Sequence, residues 1–297
     1  MSASVGSLAA EQSPSSLIRD LCALMKPRVT VLVVATAAIG MWLAPDPVPP
    51  LAAVLTGLAI GLVVGSANTL NCWLERDVDG LMKRTRMRPL PQGRLRPATA
   101  LGFGLLLAAV SIPMLVLATN SLTGLLAATA LVSYVAIYTP LKRRSAWALP
   151  VGAIPGAIPP LMGWTSATGR LDAPGLVLFA ILFLWQLPHF IAISVYRKSE
   201  YAGAGLKVLP VALGDRAAVL HAVAYAGALV PITLLLVPLG AAGTLYLSGA
   251  AVLGLAFFTL TLAGLWQQQS ARWARRVFLA SLLYLPLLFV LLAFDVA

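Results

Sequence analysis

The chain has 297 residues, of which 60% are hydrophobic and only 10% are charged. A soluble domain of this length carries about a quarter charged residues, so the composition excludes a soluble globular protein. The 24 glycines and 21 prolines, many of them within apolar stretches, are more typical of transmembrane helices than of a water-soluble core. The sequence therefore predicts an all-α integral membrane protein.

The N-terminal segment differs from the rest of the chain. Residues 1–16 are rich in serine and contain no lysine or arginine, unlike a signal peptide or an arginine-rich transit peptide. We expect a disordered tail over 1–16 and one membrane domain over 17–297. Apolar stretches near the ~20 residues that cross hydrocarbon predict nine transmembrane helices. They lie at about 28–44, 52–74, 98–118, 122–138, 148–164, 174–195, 217–239, 243–266 and 277–293.

The loops between these spans differ in charge. Every lysine and arginine except Arg170 lies either within residues 1–28, up to the start of the first span, or in alternate loops, and these segments fall on one face of a nine-span chain. The positive-inside rule makes that face cytoplasmic. Membrane topology and anionic lipid explain the net charge of +11, so the lipid bilayer, and no nucleic acid, is the expected partner.

The cytoplasmic end of the second span carries the strongest signal of a site. Asn71, Glu75 and Asp79, here called the polar column, are spaced so that on a helix they lie within about 80° of one another. Neighbouring carboxylates near a membrane need a neutralising cation, and oxygen ligands suit Mg²⁺. We therefore predict these three residues as metal ligands. The alternative is a solvated helix end whose acids pair with nearby arginines.

A basic loop follows the polar column directly. Guanidinium and ammonium groups suit phosphate oxygens, and Mg²⁺ usually binds one or two carboxylates together with a substrate's phosphates. The column and the loop together predict a diphosphate clamp. Its predicted basic members are Lys83, Arg84 and Arg88.

The sixth span carries a second polar group. Gln186 and His189 lie on one helix face, which Tyr196 and Glu200 share if the helix continues that far. Polar residues within a span mark a functional interior by default. The competing interpretation is a hydrogen-bonded pair that joins two helices.

These motifs resemble those of the UbiA-type intramembrane prenyltransferases. That family has nine helices and a first motif Asn-x-x-x-Asp-x-x-x-Asp, which this chain matches with glutamate at the middle position. The resemblance covers about residues 17–215. Five stretches indicate the haem branch of the family: 26–28, 77–90, 141–144, 156–164 and 185–190.

The resemblance implies a nine-helix bundle around a central cavity, with the active site at the cytoplasmic face. It implies transfer of a farnesyl group from farnesyl diphosphate to a vinyl group of protohaem IX (haem B), giving haem O and diphosphate. Mg²⁺ on the polar column would be the cofactor, and haem B would be a substrate. Quinone-type relatives carry a second Asp-rich motif where this chain has residues 196–201, so Lys198, or alternatively Arg197, would contact the diphosphate directly.

The resemblance also implies a haem side of the cavity. Its expected residues come from span 6 and the loop after span 4: Gln186, His189, Tyr196, Glu200, Lys142 and Arg143. The histidine would ligate the iron or orient the porphyrin, and the two basic residues would meet the propionates. A haem A synthase or the oxidase assembly machinery would accept the product, in a bacterial inner membrane.

Three other functions stay open. A sister enzyme that prenylates an aromatic or quinone precursor would share the clamp and differ in its acceptor. A polytopic transporter would carry polar residues near the bilayer midplane, whereas most polar residues here gather at one end. A non-catalytic haem-handling assembly factor would have no need of the polar column.

Overall fold

The computed structural model describes residues 13–266 and 271–296. Most of the predicted disordered tail, residues 1–12, lies outside these ranges. A helix begins at Pro14, where the side chain of Ser13 accepts a hydrogen bond from the backbone of Ser16. The predicted tail boundary at residue 16 is therefore wrong, because it lies inside this helix.

All the secondary structure of the described residues is helical. The first six α-helices are α1 (Pro14–Leu24), α2 (Pro27–Trp42), α3 (Pro50–Leu81), α4 (Pro97–Ala118), α5 (Ser121–Val132) and α6 (Thr139–Leu141). A π-helical turn at Ser133–Tyr138 joins α5 to α6. The others are α7 (Ala148–Thr168), α8 (Ala173–Tyr196), α9 (Lys198–Gly203), α10 (Leu209–Ala212), α11 (Asp215–Leu234), α12 (Thr244–Leu262) and α13 (Ala271–Phe294). A short 3₁₀ turn, Ala263–Leu265, ends α12.

Within the described ranges, seven helical segments are long and apolar enough to cross a bilayer. The pair α1 and α2, bent by 49°, adds an eighth when it is counted as one span. The helix α7 occupies the predicted fifth span but is not among these segments, and it contains three internal prolines. The predicted all-helical membrane fold is confirmed, whereas the count of nine spans is not.

The second span is longer than its apolar stretch. The helix α3 runs for 32 residues from Pro50 to Leu81, beyond the end predicted at residue 74. The loops at 82–96, 142–147 and 197–208 meet at this end, which is called the charged end below. The whole polar column is therefore helical and lies at the charged end.

Helix packing depends on small residues where backbones approach closely. The helices α2 and α7 contact each other, and α7 also packs against α8. A methyl group on Gly163 of α7 would lie 1.8 Å from the carbonyl oxygen of Ala37, and one on Gly40 of α2 would lie 2.0 Å from that of Pro160. Lipid tails are as apolar as leucine, so such close packing is a main source of helix association in membranes.

Candidate active site

The polar column lies on one buried face of α3. Asn71, Glu75 and Asp79 expose only 3%, 3% and 4% of their surface. The Asn71 side-chain N–H donates to Glu75 Oε2 at 2.9 Å, which joins the first two positions of the column. The side chain of Asp77, in contrast, is 79% exposed. The helix thus buries the side-chain oxygens of the polar column and leaves the carboxylate of Asp77 in solvent.

A basic side chain from another segment binds each member of the column. The described residues contain no group of three or more His, Cys, Asp or Glu side chains that could hold a metal, so the column offers two carboxylates and one amide. These oxygens face an excess of one positive charge. The pairs are Lys26 Nζ with Asn71 Oδ1 (3.1 Å), Lys142 Nζ with Glu75 Oε1 (2.5 Å) and Arg88 Nη1 with Asp79 Oδ2 (2.6 Å).

The surroundings of two of these basic groups raise their pKa and so favour the charged form. Burial lowers the pKa of Lys142, but the Tyr138 hydroxyl and the Glu75 carboxylate outweigh burial, so its pKa lies above the ordinary value. Burial likewise lowers the pKa of Arg88, while its acidic neighbours, Asp79 among them, raise it overall. Lys142 was predicted on the haem side, whereas the structure places its ammonium on Glu75 of the polar column.

The π-helical turn and the residue that follows it pack beside the polar column. That next residue, Thr139, has a hydroxyl that accepts from Asn71 Nδ2 at 3.2 Å and donates to the Tyr134 carbonyl at 2.8 Å. The Lys142 ammonium lies 5.8 Å from the centre of the Tyr138 ring. Such turns are rare and occur often at functional sites. The sequence analysis missed these two tyrosines and Thr139, whose only signal is their place just before a basic loop.

Two predicted clamp residues lie at the surface. Lys83 and Arg84 are exposed, and Arg84 contributes its backbone N–H to Glu200 Oε1 at 3.3 Å. Arg197 also donates to Glu200, at 3.0 Å. Partial burial raises the pKa of Glu200, but these hydrogen bonds outweigh it and hold the pKa below its ordinary value. Glu200 thus ties two loops together at the charged end.

The helix α8 does not continue as the sequence analysis required. It ends at Tyr196, which is 51% exposed, so the prediction that Glu200 shares its face with Gln186 and His189 is wrong. Lys198, a predicted diphosphate contact, donates instead to Asp215 at 2.9 Å.

Arg143, a predicted haem-side residue, lies at the surface of the charged end. Its guanidinium donates to the Leu74 carbonyl of α3 at 3.1 Å. This contact places Arg143 beside the polar column rather than beside the sixth span.

Gln186 joins two helices. Its amide N–H donates to the Leu182 carbonyl at 2.9 Å and to the Ala153 carbonyl of α7 at 3.4 Å. A methyl group on Gly156 would lie 2.0 Å from Gln186 Oε1, so α7 closely surrounds the amide. Gln186 therefore makes the interhelical contact that the competing interpretation predicts.

His189 points to a different neighbour, α13. Its Nδ1 lies 2.7 Å from Ser281 Oγ, and the Ser281 hydroxyl donates to the Phe278 carbonyl at 2.6 Å. Since that bond uses the single hydroxyl proton, Nδ1–H is the donor from the ring and Nε2 carries the free lone pair. The rings of Trp185 and Phe278 lie 5.1 Å from the imidazole and fix its plane. The imidazole is thus held in the tautomer that can bind a metal through Nε2.

Comparisons with known proteins identify the family. The model of the UbiA prenyltransferase family matches residues 33–283. A curated relative from Anaeromyxobacter sp. (strain Fw109-5), named protoheme IX farnesyltransferase, is 54% identical over 97% of this chain and 98% of its own length. A solved structure of digeranylgeranylglyceryl phosphate synthase has a TM-score of 0.81 at 15% identity, covering 93% of this chain and 97% of that one. A UbiA homolog from Archaeoglobus fulgidus, bound to GPP and Mg²⁺, has a TM-score of 0.64 at 17% identity, covering 92% and 99%. The chain belongs to the UbiA prenyltransferase family.

Proposed function

We propose that this chain transfers a farnesyl group from farnesyl diphosphate to a vinyl group of protohaem IX, producing haem O and diphosphate. Relatives named protoheme IX farnesyltransferase, 51–54% identical over most of the chain, support this choice of substrates. The observation that carries the proposal is the buried polar column with its three basic partners at the charged end of α3.

Asn71, Glu75 and Asp79 would hold Mg²⁺, and their chemistry fits that ion. All the atoms they offer as ligands are oxygens, and two carboxylates are a typical protein contribution when phosphates complete the coordination. The A. fulgidus homolog, bound to GPP and Mg²⁺, supports a metal-dependent site in this family. When bound, the ion neutralises the negative charge that develops on the leaving diphosphate.

Arg88 and Lys142 would bind the diphosphate. Both already lie within 2.6 Å of column carboxylates, so a short side-chain movement transfers them to phosphate oxygens. Positive groups that are held in place before the reaction stabilise the leaving group without reorganisation. Lys83, Arg84 and Lys198 stay proposed contacts at the mouth of the site. The allylic C–O bond then breaks and diphosphate leaves, the allylic carbon bonds to the terminal vinyl carbon, and water adds to the cation left on the other vinyl carbon and releases a proton to give the hydroxyl of the product.

His189 is the proposed haem-side residue. Its free Nε2 lone pair suits iron, and its ring is fixed by Ser281 and two aromatic neighbours. Tyr196 and Arg143 are exposed at the charged end, where they would meet the polar edge of a porphyrin. We place the charged end in the bacterial cytoplasm, because the positive-inside rule requires it.

The test is an incubation of the detergent-purified protein with haem B and farnesyl diphosphate, with and without Mg²⁺. Mass spectrometry would follow a haem product heavier by a farnesyl group plus a hydroxyl group, and we expect this product only with Mg²⁺. A product from an aromatic or quinol precursor but none from haem would overturn the acceptor and keep the clamp. No product from either acceptor would contradict the prenyl transfer itself.

A further inference from the structure

Lys26 has an unusual backbone conformation beside the polar column. Among the described residues it is the only one other than glycine with a positive φ, at 52°. It lies between α1 and α2, where the chain bends, and precedes Pro27. Residues with a side chain seldom adopt this conformation, and it persists mainly at functional sites. The bend directs the Lys26 ammonium onto Asn71 Oδ1 at 3.1 Å.

This contact uses the one atom through which Asn71 would bind a metal. An amide coordinates a hard cation through its oxygen, and here that oxygen accepts from Lys26. The carboxylates of Glu75 and Asp79 are likewise bound by Lys142 and Arg88. A metal ion that enters alone therefore competes with these three ammonium and guanidinium groups for the oxygens of the column.

The charge balance acts in the same direction. Two carboxylates and three basic groups leave an excess positive charge, which repels a free dication and attracts a polyanion. A diphosphate offers the displaced basic groups new acceptors and brings its own ligand oxygens for the metal. The ligand-free site therefore favours binding of the anion first and of the cation only afterwards.

We propose that Lys26 is a positioning residue that prevents Mg²⁺ from binding until a prenyl diphosphate is present. When the anion enters, the ammonium turns from Asn71 to a phosphate oxygen and frees Oδ1 for the metal. Metal then binds tightly only with or after the diphosphate. This inference rests on the proposed function only in requiring a prenyl diphosphate substrate, and it is independent of the acceptor.

The test measures Mn²⁺ binding to the full-length purified chain by the electron paramagnetic resonance signal of the free ion. It is run without a diphosphate and with saturating farnesyl thiodiphosphate, an unreactive analogue. Wild type is expected to bind Mn²⁺ at least about tenfold more tightly with the analogue. Lys26→Met is expected to bind Mn²⁺ alone about tenfold more tightly than wild type, because Asn71 Oδ1 is then free. Lys26→Arg, which keeps the charge, should behave as wild type.

The matched control is Arg28→Gln. Arg28 is exposed two positions away, so this variant removes the same charge without touching Asn71 and should leave Mn²⁺ binding unchanged. If Lys26→Met folds poorly, Lys26→Gly replaces it, since glycine accepts the positive φ.

Two results would overturn the inference alone: equal Mn²⁺ affinity of wild type with and without the analogue, or equal effects of Lys26→Met and Arg28→Gln. No binding of the analogue by wild type would overturn the proposed function as well.

Discussion

Arg88 Nη1 donates to Asp79 Oδ2 across 2.6 Å, and this bond holds the basic loop against the last turn of the polar column. The Thr85 hydroxyl adds a second connection, a 2.9 Å hydrogen bond to the Asp79 carbonyl. The loop therefore folds back onto the helix it follows. The proposed metal ligand Asp79 and the proposed diphosphate ligand Arg88 are thus parts of one local unit, so a change in Asp79 affects both.

Asp79→Asn is expected to lower the turnover rate about 10²–10³-fold, the usual cost of losing one preorganised electrostatic partner. The amide keeps the size of the side chain but removes the charge that binds Arg88 and the metal. The mass-spectrometric assay measures the rate, and membrane content shows that the protein still inserts. Asp77→Asn, the same change at an exposed neighbour, should leave the rate near wild type. A wild-type rate in Asp79→Asn would contradict the clamp.

His189→Ala is expected to weaken haem binding by about tenfold or more, while farnesyl diphosphate binding changes little. The reason is that Nε2 of the imidazole carries a free lone pair, and the hydrogen bond from Nδ1 to Ser281 of α13 fixes the ring. A haem titration followed by the Soret band measures the first quantity, and equilibrium binding of labelled farnesyl diphosphate measures the second. Equal losses for both substrates would assign His189 to the scaffold.

Ser281→Ala separates the proposed role of His189 as an iron ligand from the hydrogen bond that supports its ring. It removes the acceptor of Nδ1–H and leaves the imidazole in place, so haem binding should weaken less than in His189→Ala and the Soret maximum should shift. Ser281→Thr keeps the hydroxyl and should restore both. A Soret spectrum unchanged in Ser281→Ala would contradict this role of the hydrogen bond.

The polar column could be predicted from the sequence because it depends on helical spacing alone. Asn71, Glu75 and Asp79 share a face on any helix, and α3 continues to Leu81. Its partners could not be predicted, because Lys26 and Thr139 are 45 and 68 residues away from Asn71. Only the packing of several helices brings them together.

The prediction that the polar residues of the sixth span share one face was wrong for a different physical reason. Spacing placed Gln186 and His189 on one face, but α8 packs between α7 and α13 and each side chain reaches a different helix. Spacing also assumed a continuous helix, whereas α8 stops at Tyr196 and the chain turns at Arg197. Helix ends are the least reliable feature of such a prediction, and here the end decides where Glu200 lies.

Gly163→Ala is expected to destabilise the protein by about 1–3 kcal/mol, the usual cost of overpacking a close contact. The added methyl group would lie 1.8 Å from the Ala37 carbonyl, so α2 and α7 must separate. The melting temperature in detergent measures the effect. Gly102→Ala in α4 is the control, because a methyl group there meets nothing within 4 Å. Equal melting temperatures of the two variants would contradict the close packing.

Glu200→Gln is expected to lower stability at neutral pH and to make no difference in acid. The pKa of Glu200 lies below its ordinary value of 4.5, because Arg197 and the Arg84 backbone bind the charged form. A group with a depressed folded pKa stabilises the protein above its unfolded pKa, and this contribution is lost as pH falls through the folded pKa. Melting temperatures of wild type and variant should therefore differ at about pH 7 and converge as the pH is lowered below 4.5. A constant difference across that range would show that the variant disturbs packing rather than this ionic contact.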